Sequence, residues 1–320
     1  MLGALLALAS AATFGLNNAA LRRGILSGSV LQAMGITVPI GVPLFFLACL
    51  VFGGFQALSS FTSSQWIWMA GAGIVHFIIG RYGNYRSTKG LGANLSGPIQ
   101  QLSVPISIVL AIIYLGETLT PVRLIGFMLV MLGPVVMLRC KNTHKTKSGF
   151  IPNYNEGFVW GFVSAFAYGI SPIFIMKGLG THGGLADSVA GGFISYSTAA
   201  IIVLILIMFC GGIKFMSKLD STASKWFITS GVLVFFSQMF RYMSLAIAPI
   251  TVVVPIQRLS PVFRVIFSWI LNRDHEVFGF WVLLGISISM FGAILLTLST
   301  DLVISLLPDN WAPIISIKWP

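Results

Sequence analysis

Charge is the scarcest property of this sequence. Only 8% of the residues are charged and 56% are apolar, whereas a soluble domain carries about a quarter charged residues. A polar coat for a water-soluble globule is therefore missing. Acid is rarer still. The eight carboxylates, Glu117, Glu156, Asp187, Asp220, Asp274, Glu276, Asp301 and Asp309, all fall at the ends of apolar runs, in the segments between them or in the tail. No carboxylate stands in the middle of an apolar run, where a carrier exchanging cations for protons needs one. The three cysteines, Cys49, Cys140 and Cys210, form no even disulfide framework and no metal-ligand spacing. They read as packing residues, and no metal site is expected. HExxH, GxSxG and GxxxxGK[ST] are all missing, as are the clustered carboxylates that hold a metal-bound diphosphate. The sequence therefore reads as that of a non-enzyme without a cofactor.

Long apolar runs are what it has. Segments long enough for a bilayer core of about 30 Å occur at 2–20, 30–53, 66–85, 93–115, 121–138, 157–176, 188–210, 226–246, 250–271 and 279–299. The expected fold is all-α and integral to the membrane, with ten transmembrane helices. The opening MLGALLALASAA resembles a signal peptide but lacks a positive n-region, so it reads as the first helix. The net charge of +11 is spread over short inter-helix segments without an aromatic-studded basic module, which argues against nucleic acid as a partner. The tail, 300–320, carries Trp311 and Trp319 among apolar residues and is expected to lie at the lipid interface.

The chain also repeats itself. GPIQQLSVPISI at 97–108 is answered by VPIQRLSPVFRV at 254–265, with Pro-Ile-Gln-x-Leu-Ser recurring at an offset of 157. Ser10, Gly15 and Gly24 match Ser164, Gly169 and Gly178 at 154, and Trp66, Arg81 and Tyr82 match Trp226, Arg241 and Tyr242 at 160. Glu117, Gly126 and Gly133 match Glu276, Gly285 and Gly292 at 159. Trp-x14-Arg-Tyr and the hexapeptide use uncommon residues in the same order, which sets them apart from chance likeness between apolar runs. The divisions expected are a first five-helix repeat at 1–138, a basic connecting loop at 139–156, a second repeat at 157–299 and the tail. Five spans per repeat invert the second copy relative to the first. Inverted repeats occur in secondary transporters, which bind substrate near the midplane between the halves.

Polar residues inside the spans are the candidates for substrate contact, because an amide or guanidinium facing lipid is costly. They are Asn17 and Asn18 in the first span, Gln32 in the second, Gln100 and Gln101 in the fourth and Ser171 in the sixth. Tyr196 in the seventh, Gln238 and Arg241 in the eighth, and Gln257 and Arg258 in the ninth complete the set. Pro98, Pro105, Pro172, Pro255 and Pro261 are expected to kink their helices and free backbone carbonyls. Small-residue packing and inter-helix hydrogen bonds are the competing explanation for each polar group. Arg81 reads as snorkelling to an interface. Arg264 lies six residues, about 240°, round the helix from Arg258, so the two need not serve one site. His76 reads as a packing or hydrogen-bonding residue, with proton coupling as the other reading. Arginines without carboxylates suit an anionic or carboxylate-bearing substrate, and the exchange of Gln101 for Arg258 between repeats supplies a counter-ion.

YLGETLTPVRLIGFMLVMLG at 114–133 and its degraded copy at 271–292 resemble the Gly-Glu helix junction of the EamA-type drug/metabolite transporter superfamily. The Arg-Tyr pairs at 81–82 and 241–242 and the Pro-Ile pairs at 98–99 and 255–256 are similar to that family's third, eighth, fourth and ninth helices. The resemblance covers about 2–299. It implies a substrate cavity lined chiefly by those four helices, with help from the first and sixth, and cytoplasmic termini. The charge bias points the other way. Twelve Lys and Arg, Arg22 among them, follow odd-numbered spans, against three on the opposite side, which favours termini outside.

The expected function is a secondary transporter exporting a small polar or anionic metabolite by alternating access. The alternatives are an exporter of hydrophobic or cationic compounds and a non-transporting scaffold or channel-like subunit. Partners are the small-molecule substrate and membrane lipid, with the oligomeric state open. The expected location is a bacterial inner (plasma) membrane.

Overall fold

The computed structural model describes residues 2–115, 120–139, 148–180, 184–247, 253, 256–297 and 305. Glu117, Pro255, residues 140–147 of the inter-repeat loop with Cys140, and nearly all of the tail lie outside these. Among the described residues there is no strand. The elements are α1 (Leu2–Ile25), α2 (Val30–Thr37), α3 (Gly41–Phe52), α4 (Gly54–Ser60) and α5 (Ser63–Ala72), then a π-helical segment (Gly73–Gly80) that runs directly into α6 (Arg81–Leu91). They continue with α7 (Ala93–Gln101), α8 (Ser103–Leu115), α9 (Pro121–Met137), α10 (Tyr154–Leu179), α11 (Leu185–Phe209), α12 (Gly212–Met216), α13 (Ser221–Ile247), α14 (Ser260–Asn272) and α15 (Phe280–Thr297).

Five stretches, Leu2–Ile25, Val30–Phe52, Tyr154–Leu179, Leu185–Phe209 and Phe280–Thr297, are long and apolar enough to cross a membrane. Of the other apolar runs, 226–246 lies within the continuous helix α13 and 121–138 forms the shorter α9. The run at 66–85 passes from α5 through the π segment into α6. The run at 93–115 breaks at Leu102, because Pro105 has no N–H for the carbonyl of Gln101 and its ring crowds that carbonyl. Large apolar side chains such as Leu47, Ile67 and Phe209 face outwards. A surface of that kind needs lipid rather than water around it.

Small residues set the packing, as they do where lipid removes any hydrophobic drive between helices. On α9 and α15, a Cβ on Gly126 would lie 2.8 Å from the Gly292 carbonyl oxygen, and one on Gly285 would lie 2.8 Å from that of Gly133. Contacts in this reversed order make the two helices antiparallel. A Cβ on Gly15 of α1 would fall 2.6 Å from Phe263 Cβ on α14, and one on Gly169 of α10 would fall 2.8 Å from Ile106 Cγ2 on α8. α1 also packs along α13, where the Ser10 and Ser237 hydroxyls each donate to the other's carbonyl at 2.8 and 3.0 Å.

Candidate functional site

A cavity of about 160 Å³ opens where α1, the π segment, α7, α8, α10, α13 and α14 converge. That is below the roughly 300 to 1,000 Å³ of drug-sized pockets and suits a small ligand. Of the residues nominated from the sequence, Gln100, Gln101, Ser171, Gln238, Arg241, Gln257 and Arg258 line it together, with Pro172 and Pro261. Pro172 lies inside α10 and Pro98 inside α7, while Pro261 begins α14 in its first turn. Proline costs little there, since its missing N–H is one the helix would not use. Pro105 sits in α8, one turn beyond the Leu102 break.

The remaining nominees lie elsewhere, each engaged by protein. Asn17 Oδ1 accepts from Ser230 Oγ at 2.6 Å. Asn18 donates to the Phe14 carbonyl at 2.8 Å and accepts from Asn84. Gln32 closes a capping box with Ser29 and donates to the Phe215 carbonyl. Tyr196 is wholly buried and its hydroxyl accepts from Arg81 Nη2 at 2.8 Å. Arg81 does not snorkel. It is 3% exposed, also donates to the Thr37 carbonyl, and packs its guanidinium over the rings of Phe77 and Tyr196. Two ring faces and two acceptors make the interior the better place for it.

Half of the lining forms pairs of repeat counterparts. Gln100 and Gln257 both contribute, as do Gln101 and Arg258, Ser103 and Ser260, Ser107 and Arg264, and Phe14 and Tyr168. Gln101 even touches its own counterpart, its Nε2 donating to the Arg258 carbonyl at 3.4 Å. In two of these pairs the second copy replaces Gln or Ser with Arg, and in a third it replaces Phe with Tyr. Among the described residues the lining accordingly holds Arg241, Arg258 and Arg264 and no carboxylate. Arg264 is the best anchored: Nη2 donates to Gln100 Oε1 at 2.8 Å, and Nη1 reaches Ala93 O and Ser96 Oγ at 3.4 Å. Gln100 passes the network on to Asn84. Nε of Arg241, Arg258 and Arg264 and Nε2 of Gln257 are buried donors without an acceptor among the described residues. Buried donors of this kind call for an occupant.

Sequence reasoning passed over one buried carboxylate. Glu276 is 3% exposed. It accepts from the Ala93 and Asn94 amides at 2.7 and 2.9 Å, capping the start of α7, while its Oε1 lies 3.0 Å from Arg22 Nε. Burial pushes its carboxyl pKa up, against the pull of Arg22 and those two amides. Gly92, at φ +89°, turns the chain so that its missing side chain leaves room for this carboxylate. Arg22 also donates to the carbonyls of Thr88, Lys89 and His275, so it is an interior residue rather than a loop cation. The signal in the sequence was the match of Glu276 to Glu117. The interior as a whole is thus not free of carboxylates, but the cavity wall is, among the described residues.

A model of the EamA-like transporter family matches residues 1–139 and 155–298 of this chain. A solved crystal structure, described simply as that of a protein, is 15% identical over 92% of this chain and 95% of its own, with a TM-score of 0.57. At that identity the likeness speaks for the fold alone. No curated protein matches the chain.

Proposed function

Because the chain belongs to the EamA-like transporter family, and is therefore an integral membrane transporter, we propose that its cargo is a small anionic or strongly polar metabolite, carried by alternating access and exported. The observation that carries this reading is the cavity wall, which among the described residues has three arginines, no carboxylate and buried donors lacking acceptors. An anion bound there gains charge-assisted hydrogen bonds in a medium of low dielectric, where such contacts are strongest. A cation would meet the repulsion of three arginines with no carboxylate among the described lining residues to offset it.

Ten transmembrane helices arranged as two inverted repeats complete the proposal. The reciprocal glycine contacts of α9 with α15, the antiparallel course of those helices and the equivalent approaches of Gly15 to Phe263 and Gly169 to Ile106 all support it. Each contact recurs with counterparts exchanged, as a two-fold relation requires. A cavity lined by counterpart pairs fits a substrate site between the halves. A bacterial plasma membrane is the proposed setting.

The test is a thermal-shift screen of detergent-purified protein against anionic, zwitterionic and cationic metabolites, with Arg258→Ala alongside. Stabilisation by anions that is lost in the folded variant is the expected result. Stabilisation by cationic or apolar compounds alone, unchanged in the variant, would overturn the anionic reading and favour export of hydrophobic or cationic compounds.

A further inference from the structure

A cavity with cations and no carboxylate lacks the usual proton carrier of a secondary transporter. Among the described residues that line it, His76 is the side chain whose ordinary titration range spans neutral pH. It sits in the middle of the π-helical segment, a rare geometry found mostly at functional positions. Two glycines permit it there. A Cβ on Gly73 would collide with the Ser195 carbonyl at 2.3 Å, and one on Gly80 with the Tyr168 ring at 2.5 Å.

The surroundings of the ring are defined on every side. From α10, Ser171 Oγ lies 3.0 Å from Nδ1, and the Tyr168 ring centroid lies 4.6 Å away. Phe77 stands edge-on at 4.8 Å, with Tyr196 of α11 behind it. The charges that share the cavity with the ring are Arg241 of α13, Arg258 and Arg264, and Arg81 opens α6 directly after the π segment. Ser171 is the ring's one hydrogen-bond partner among the described residues, which leaves Nε2 open to a proton.

We propose that His76 is the proton-binding group of the cavity and that one proton travels with each anion. This rests on the anionic reading above. The imidazolium has two N–H donors, so Nδ1–H donates to Ser171 Oγ and Nε2–H turns to the cargo. Arg241, Arg258 and Arg264, which share the cavity with the ring and carry like charge, oppose a further cation there, and a bound anion offsets that opposition. Anion and proton therefore strengthen each other's binding, by the same factor in both directions. The proton is taken from water on one face and returned to water on the other in the same direction as the anion. Export then runs on accumulated anion rather than on an inward proton gradient.

Lactate and isethionate keep a constant charge across neutral pH and serve as probes. Binding of each to purified wild-type protein is measured by titration calorimetry from about pH 5 to 8, in two buffers of different ionisation enthalpy. The expected result is affinity rising about tenfold per pH unit of acidification over the steep range, with about one proton taken up per anion. His76→Gln, which keeps a hydrogen bond to Ser171 but does not titrate, should bind with affinity independent of pH. Wild-type binding without proton uptake, or the same pH dependence in His76→Gln, would overturn the coupling alone. Failure of both anions to bind the wild-type protein at any pH would overturn the anionic reading and the coupling with it. The proton count comes from the wild-type protein, so the test survives a variant that does not fold.

Discussion

Arg22, Arg81, Arg241, Arg258 and Arg264 enter the helical interior, and their partners among the described residues separate their roles. Arg22 and Arg81 are satisfied by protein: a carboxylate and three carbonyls for one, a tyrosine hydroxyl, a carbonyl and two rings for the other. Arg264 is anchored through Gln100 yet lines the cavity, and Arg241, Arg258 and Arg264 each keep an Nε donor without an acceptor among the described residues. Removing one partner of a buried pair strands the other's charge, at a cost of about 3–5 kcal/mol. Glu276→Ala is therefore expected to lower the melting temperature sharply, since it also uncaps α7. Adding Arg22→Met should recover part of the loss, and equal melting of the single and double variants would show that Arg22 is satisfied without Glu276. At Arg81, Arg81→Leu should cost stability without changing which ions stabilise the protein. A changed ion preference in the same screen would place Arg81 in the site after all.

At the scale of elements, glycine and proline decide where helices meet and where they stop. The Leu102 break and the first-turn position of Pro261 aim α7, α8 and α14 at one cavity. Helices α9 and α15, whose described residues do not line it, are held by backbone-to-backbone approach. A Cβ on Gly292 would lie 2.7 Å from the Gly126 carbonyl oxygen, where no side chain can move aside. Gly292→Val should destabilise by about 1–3 kcal/mol, the usual cost of overpacking, seen as earlier thermal aggregation. Gly53, with open space around its Cβ position, is the internal comparison. It has φ +74°, so Gly53→Ala should cost only the smaller backbone penalty. Equal loss at both positions would show that α9–α15 packing is not what Gly292 protects.

For the whole molecule, the proposed repeat makes a directional prediction. In a variant lacking the three native cysteines, Ser103→Cys places a thiol on the cavity wall. At rest, a membrane-impermeant maleimide should label it from one face of a sealed vesicle. With a transported anion present, the same thiol should become reachable from the opposite face. Labelling confined to one face under all conditions would favour a scaffold, and simultaneous access from both faces a channel.

The sequence by itself determined the class. Low charge, long apolar runs and two copies of Pro-Ile-Gln-x-Leu-Ser are properties of the chain, because burial in lipid and gene-level repetition both leave their mark residue by residue. It also marked Gln100, Gln101, Gln257 and Arg258 as polar groups needing a destination. Which destination each polar group found was decided only in three dimensions. Asn17, Asn18, Gln32 and Tyr196 met protein partners on other helices or at a helix start. Arg264, six residues from Arg258, reached the same cavity because it grips Gln100 of α7 across the interface. A buried polar group takes whichever acceptor lies within about 3 Å. That distance runs between helices far apart in the chain, so no local spacing reports it.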